Sequence, residues 1–131
     1  MAKTAGAWAA AALAIAASGA HAADTAHGAK VYAAQCAVCH GPSGAGGVGP
    51  PLAGVVGRRA GAAPFAYSQA LRKTGWTWDA ARLDRYLTDP AAAAPGTTMP
   101  MALAAPRDRA DVIAMLAGWS RTPAPAAPVR R

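Results

Sequence analysis

The chain has two cysteines, three positions apart, with a histidine directly after the second: Cys36-Ala37-Val38-Cys39-His40. Two thiols so spaced can close a disulfide, cycle as a redox pair, hold a metal ion, or add to the two vinyl groups of a haem. A disulfide here would close a very small loop, and the stabilisation from closing a loop grows with its length, so it would contribute little. A thioredoxin-like pair needs a βαβ setting, and no such pattern surrounds these residues. A structural zinc site needs four ligands. Beyond the N-terminal segment only His27 adds to Cys36, Cys39 and His40, with no second C-x-x-C or H-x-x-x-H pair. C-x-x-C-H is the attachment signature of c-type haem. Both thiols become thioethers, no cysteine is left over, and His40 falls beneath the iron as proximal ligand.

The opposite side of the iron then takes a ligand or stays open. His21 lies in a segment that reads as a leader, and His27 sits one or two helical turns before Cys36, on the proximal side. Among the methionines, Met99 and Met101 share a Pro/Gly-rich loop from which a side chain can be aimed inward. Met115 falls on an apolar helical stripe and reads as core. An iron closed by histidine and thioether has no position for a reactant, and thioether ligation raises the reduction potential. That combination points to electron transfer. A gas sensor or peroxidase would need an open distal site, and the chain offers no distal histidine and no arginine placed for peroxide chemistry.

Lys3 supplies a short positive start, Ala5 to Ala17 is apolar, and Ser18-Gly19-Ala20-His21-Ala22 offers small residues where a signal peptidase reads. Residues 1–22 are therefore expected to be a cleaved secretory signal peptide, cut after Ala22. The apolar run is shorter than the roughly 20 residues of a spanning helix. Export agrees with the haem signature and points to the periplasm. Residues 23–121 form one domain, and 122–131 is a Pro/Ala-rich tail ending in Arg130-Arg131, expected to be disordered. The formal charge of +7 falls by one with the loss of Lys3. Export disfavours nucleic acid as the partner of this basic chain. A redox protein with an acidic surface fits better, with at most peripheral contact to a membrane. A monomer is expected.

Asp24 or Thr25 can cap a first helix running into Cys36. Gly41 to Gly61 is rich in Gly and Pro and reads as a long wrapped loop. A short helix follows at Ser68 to Lys73. Asp79 caps another, with Leu83, Tyr86 and Leu87 on one face and Pro90 at its end. Ala91 to Ala105 reads as loop. Pro106 opens the last helix, whose stripe is Val112, Met115, Leu116 and Trp119. Nothing alternates with period two, so the fold class is all-α. With only one Phe, three Tyr and four Trp, a large buried cofactor would supply missing apolar bulk.

Gly49-Pro50-Pro51-Leu52, Gly57-Arg58, Phe65-Ala66-Tyr67-Ser68, Thr77-Trp78, Tyr86-Leu87-Thr88-Asp89-Pro90 and Pro95-Gly96-Thr97-Thr98-Met99 follow the haem signature in order. In these motifs the chain, from about Thr25 to Trp119, resembles the class I c-type cytochromes, mitochondrial cytochrome c and its bacterial periplasmic relatives. The resemblance implies a small cytochrome c fold, three to five helices with long loops wrapped around one covalently attached haem. It implies Met99 as sixth ligand, with Met101 as fallback. The Pro50 carbonyl would accept from His40, and Arg58, Tyr67 and Trp78 would face the haem propionates. Tyr86 would lie near the Met99 sulfur, and Gly28 and Tyr32 would meet the last helix near Val112 and Met115. The implied activity is single-electron carriage between respiratory or dehydrogenase partners, without substrate turnover. Two departures stand out. Gln35, Ala91 to Ala94 and Thr98 replace much of the mitochondrial lysine ring, so that docking partner is not implied. Met101 stands where an aromatic usually follows the ligand methionine.

Overall fold

The computed structural model describes residues 21–121. Most of the candidate leader, through residue 20, and the tail from 122 lie outside the described residues.

Asp24 caps α1 (Thr25–Gln35), its carboxylate accepting from the N–H groups of Ala26 and His27 at 3.0 Å each. This satisfies two of the donors that every helix start leaves unpaired. Cys36 closes α1 and precedes a single turn, α2 (Ala37–His40). Ser68 caps α3 (Gln69–Lys73), and Asp79 caps α4 (Ala80–Thr88) by accepting from Arg82 N–H at 2.8 Å. Pro90 ends α4 as expected, yet it also opens α5 (Pro90–Ala93). The sequence reading assigned Ala91 onward to loop. Asp89 is extended, with φ −156°, as a residue before proline prefers. Its carboxylate caps the next turn through Ala92 N–H at 3.0 Å, so the chain changes direction without losing its helix-start bonds. Pro106 opens α6 (Pro106–Arg121). Among the described residues no strand forms. One isolated antiparallel bridge joins Arg59 and Thr77.

The architecture is all-α, and its frame is the crossing of α1 and α6. α1 buries Gly28, Val31 and Tyr32, spaced i, i+3, i+4. A Cβ on Gly28 would collide with the Asp111 carbonyl and lie 3.0 Å from Val112 N. Glycine is what lets the two backbones approach. Val31 and Tyr32 join Val112, Met115 and Leu116 in the core, and the Tyr32 ring meets Trp119 edge-on, centroids 4.9 Å apart. Met115 is core, as its place on the stripe predicts.

The Gly/Pro loop after His40 folds back on the motif. Gly46 N–H donates to the His40 carbonyl at 2.9 Å and Gly49 N–H to the Cys39 carbonyl at 2.8 Å. These bonds satisfy carbonyls that the short α2 leaves open. No described helix is long and apolar enough to cross a membrane.

Candidate functional site

The turn bearing both cysteines is closed by the N–H groups of Cys39 and His40 on the Cys36 carbonyl, at 3.1 and 3.0 Å. Both thiols are half-buried, and neither is in a disulfide. Burial, with the neighbouring Cys39 adding to it, pushes the Cys36 thiol up. An apolar thioether would sit better there than a thiolate.

His40 is buried, and its Nδ1 lies 2.7 Å from the Pro50 carbonyl oxygen. A carbonyl only accepts, so Nδ1 carries the proton. In the neutral ring this leaves Nε2 with its lone pair, the form that binds a metal. The ring fits because residue 49 is glycine: a Cβ there would stand 3.0 Å from both Nδ1 and Cε1 of His40.

Beside this turn opens a cavity of about 310 Å³. The ten residues named from the sequence as haem or iron contacts all line it: Cys36, Cys39, His40, Pro50, Arg58, Tyr67, Trp78, Tyr86, Met99 and the fallback Met101. The rest of the wall is mainly aliphatic and aromatic, with Leu52, Leu71, Leu83 and Leu116 from four separate segments. Among the described residues the lining holds one arginine or lysine, Arg58. This donor set suits haem c. Two thiols and an imidazole nitrogen stand at one turn, a thioether sulfur on another segment, apolar walls between them, and a guanidinium for an anionic edge. His27 is not among these residues. Its Nε2 lies 2.8 Å from Asp108 Oδ1, across the contact of α1 with α6.

Two tertiary devices hold the walls. Residues 57–60 pair with 76–78: Gly57 N–H donates to the Trp78 carbonyl at 2.7 Å, Trp78 N–H to Arg58 at 2.9 Å, and Ala60 N–H to Trp76 at 2.8 Å. That pairing sets Arg58 and Trp78 side by side. Arg58 also donates to the carbonyls of Pro51 and Ala53, tying down the loop after Pro50. Trp78 meets Trp76 and Tyr86 edge-on, at 5.9 and 5.2 Å, and Phe65 backs Tyr67 at 5.2 Å.

The second device secures the methionine segment. The Tyr86 hydroxyl and Thr97 Oγ1 are 2.6 Å apart, and Thr97 Oγ1 accepts from Met99 N–H at 3.4 Å. Burial pushes the Tyr86 hydroxyl up, so it stays protonated. At the far end Leu103 N–H donates to the Leu87 carbonyl at 2.7 Å. The buried Arg109 grips the carbonyls of Leu103 and Ala104 at 2.9 and 2.8 Å, and Asp84 Oδ1 at 2.8 Å. Thr97 and Arg109 were not legible as site residues. Thr97 sits inside the motif ending at Met99, which was the one available hint. For Arg109 there was no signal, since an arginine on a helix reads as solvated.

A family model described as cytochrome c matches residues 25–119. Cytochrome c2 of Rhodomicrobium vannielii is 50% identical over 98 residues, 72% of this chain and 78% of that protein. Cytochrome c of Tetrahymena pyriformis is 42% identical over 94 residues, 71% of this chain and 86% of that protein. The solved structure of cytochrome cH from Methylobacterium extorquens superposes with a TM-score of 0.67 at 43% identity, covering 72% of this chain and 98% of its own. The cavity's donor set and these likenesses agree: the chain belongs to the cytochrome c family of electron carriers and binds one covalently attached haem c.

Proposed function

We propose that the chain is a periplasmic single-electron carrier whose haem is held by thioethers at Cys36 and Cys39 and whose iron lies between His40 and Met99. The single observation that carries this reading is the convergence of the C-x-x-C-H turn and the Met99 segment on one apolar cavity. Haem c supplies the one-electron couple. His40, with its proton on Nδ1 toward Pro50, offers Nε2 to the metal. Pro50 thereby sets the tautomer and strengthens the ligand. Met99 supplies the soft donor that raises the potential, steadied through Thr97 and Tyr86. Arg58, Tyr67 and Trp78 receive the propionate edge, Arg58 by charge. Side chains held this way reorganise little when the iron changes charge.

The leader directs the mature protein, beginning at Ala23, outside the cytoplasm. The protein is a monomer that meets redox partners through small, short-lived contacts. Net positive charge speeds encounter with acidic surfaces more than it deepens affinity.

The test is visible spectroscopy of the oxidised and reduced holoprotein, with and without carbon monoxide. Wild type is expected not to bind carbon monoxide. Met99→Ala should bind it and show a lower potential, while Met101→Ala should behave as wild type. The reverse pattern would transfer the ligand role to Met101. Ready binding by wild type would defeat the carrier reading.

A further inference from the structure

Asp111 is the one acidic side chain that the structure buries, and half of its carboxylate has no hydrogen-bond partner. The residue is 3% exposed. Its Oδ1 accepts from Asp24 N–H at 2.8 Å, whereas Oδ2 is buried and accepts no hydrogen bond. The nearest cation is Arg107, four residues earlier on α6, whose Nε stands 3.6 Å from Oδ2 and whose side chain is 65% exposed. The other charges nearby are the Asp24 carboxylate, which caps α1, and the His27–Asp108 pair. A buried carboxylate oxygen that accepts no hydrogen bond is destabilising unless another donor reaches it. The described residues provide none.

The missing donor is one residue from Asp24. We propose that Asp111 is the receptor for the mature N-terminus: cutting after Ala22 frees the α-ammonium of Ala23, which pairs with Asp111 Oδ2. Consecutive backbone nitrogens are three bonds and about 3 Å apart. Ala23 is exposed, so rotation about its Cα–C bond is free to bring its nitrogen toward the carboxylate that Asp24 N–H already engages. In the precursor this nitrogen is a neutral amide with one hydrogen. In the product it is a cation with three donors. Cleavage thus adds a second positive charge to that of Arg107 and supplies hydrogen-bond donors where the buried Oδ2 has none. Through Asp24, the cap of α1, the pair fastens α1 to α6, the crossing on which the haem-bearing turn is built. A leader still attached would leave that clasp open.

The inference rests on cleavage after Ala22, so the two are tested separately. Intact mass and N-terminal sequencing of holoprotein secreted with its own leader should give Ala23 as first residue. Another first residue overturns the cleavage site, and the pair as a product of maturation with it. The pair itself is read on holoprotein made with a foreign leader so that it starts at Ala23. Its α-amine, carbon-13 dimethylated and followed by NMR in the reduced state, should hold its proton about tenfold more tightly than an unfolded chain's. The folding equilibrium constant should fall about tenfold when that amine is acetylated, because one such factor is linked to the other. Asp111→Asn should abolish both effects. If that variant does not fold, a chain with one extra alanine before Ala23 should lose the tight proton binding with Asp111 intact. An α-amine of ordinary proton affinity in the Ala23 protein, or one unchanged by Asp111→Asn or by the extra alanine, overturns the proposal.

Discussion

Replacing Gly28 by alanine sets two known effects against each other. Alanine is the better helix former by about 0.5–1 kcal/mol in a helix interior, so on local grounds Gly28→Ala should stabilise α1. Across the helix crossing the added methyl would strike the Asp111 carbonyl, with Val112 N 3.0 Å away. Ordinary non-bonded contacts lie near about 3.5–4.0 Å. Both obstacles are backbone within α6, so no rotamer change relieves the clash and the helices must part by roughly 1 Å. That movement loosens Val31 and Tyr32 against Val112 and Leu116. It also stretches the bond from Asp24 N–H to Asp111. Overpacking costs about 1–3 kcal/mol, and a clash between two backbones belongs at the upper end. The net expectation is a loss of about 2 kcal/mol, which lowers Tm by about 10 °C for a domain of this size. Urea and thermal unfolding of the holoprotein measure it. Ala29→Gly, at an exposed neighbour on α1, calibrates the propensity term and should lose only about 0.5–1 kcal/mol. A Gly28→Ala protein as stable as wild type, or more so, would refute the claim that close approach of α1 and α6 governs stability.

The remaining predictions concern the clamps on the cavity. Arg109→Ala removes three charge-assisted bonds at the end of the methionine segment. Since Asp84 is half exposed and water can replace part of this, the expected loss is about 2–3 kcal/mol. The variant should bind carbon monoxide more readily than wild type, and an unchanged affinity would mean that the clamp does not reach Met99. Tyr86→Phe removes the 2.6 Å contact with Thr97 and should cost about 1 kcal/mol in denaturant unfolding. Equal stability would show that Thr97 finds a substitute. The Tyr32 hydroxyl donates to the Gly41 carbonyl at 2.7 Å, and burial pushes its pKa up to about 12. An unfolded tyrosine ionises near about 10, so between these values the unfolded chain binds fewer protons and stability falls as pH rises. Tyr32→Phe should flatten that alkaline slope, and a slope unchanged in the variant would assign it to other groups.

Contiguous residues determined a great deal about this protein. Two thiols and an imidazole within five positions define the haem-attachment turn whatever surrounds them, because covalent spacing alone brings them together. Helix starts were legible for the same reason. Asp24, Ser68 and Asp79 each bond N–H groups two or three residues on, and Pro106 brings its own φ. The turn at Pro90–Ala93 was missed because proline ends one helix and begins another with identical chemistry, and only the extended Asp89 shows which. What the tertiary structure decided lies between residues far apart in the chain. Asp24 meets Asp111 across 87 positions, and Arg109 meets Asp84 across 25. Whether an arginine is solvated or buried, and whether a carboxylate keeps an unmet oxygen, depends on which segments pack over it. Periodicity carries no record of that. The cavity belongs to the same class: its donors were named one by one from the sequence, but only the crossing of α1 with α6 and the pairing of residues 57–60 with 76–78 turn them toward a common space.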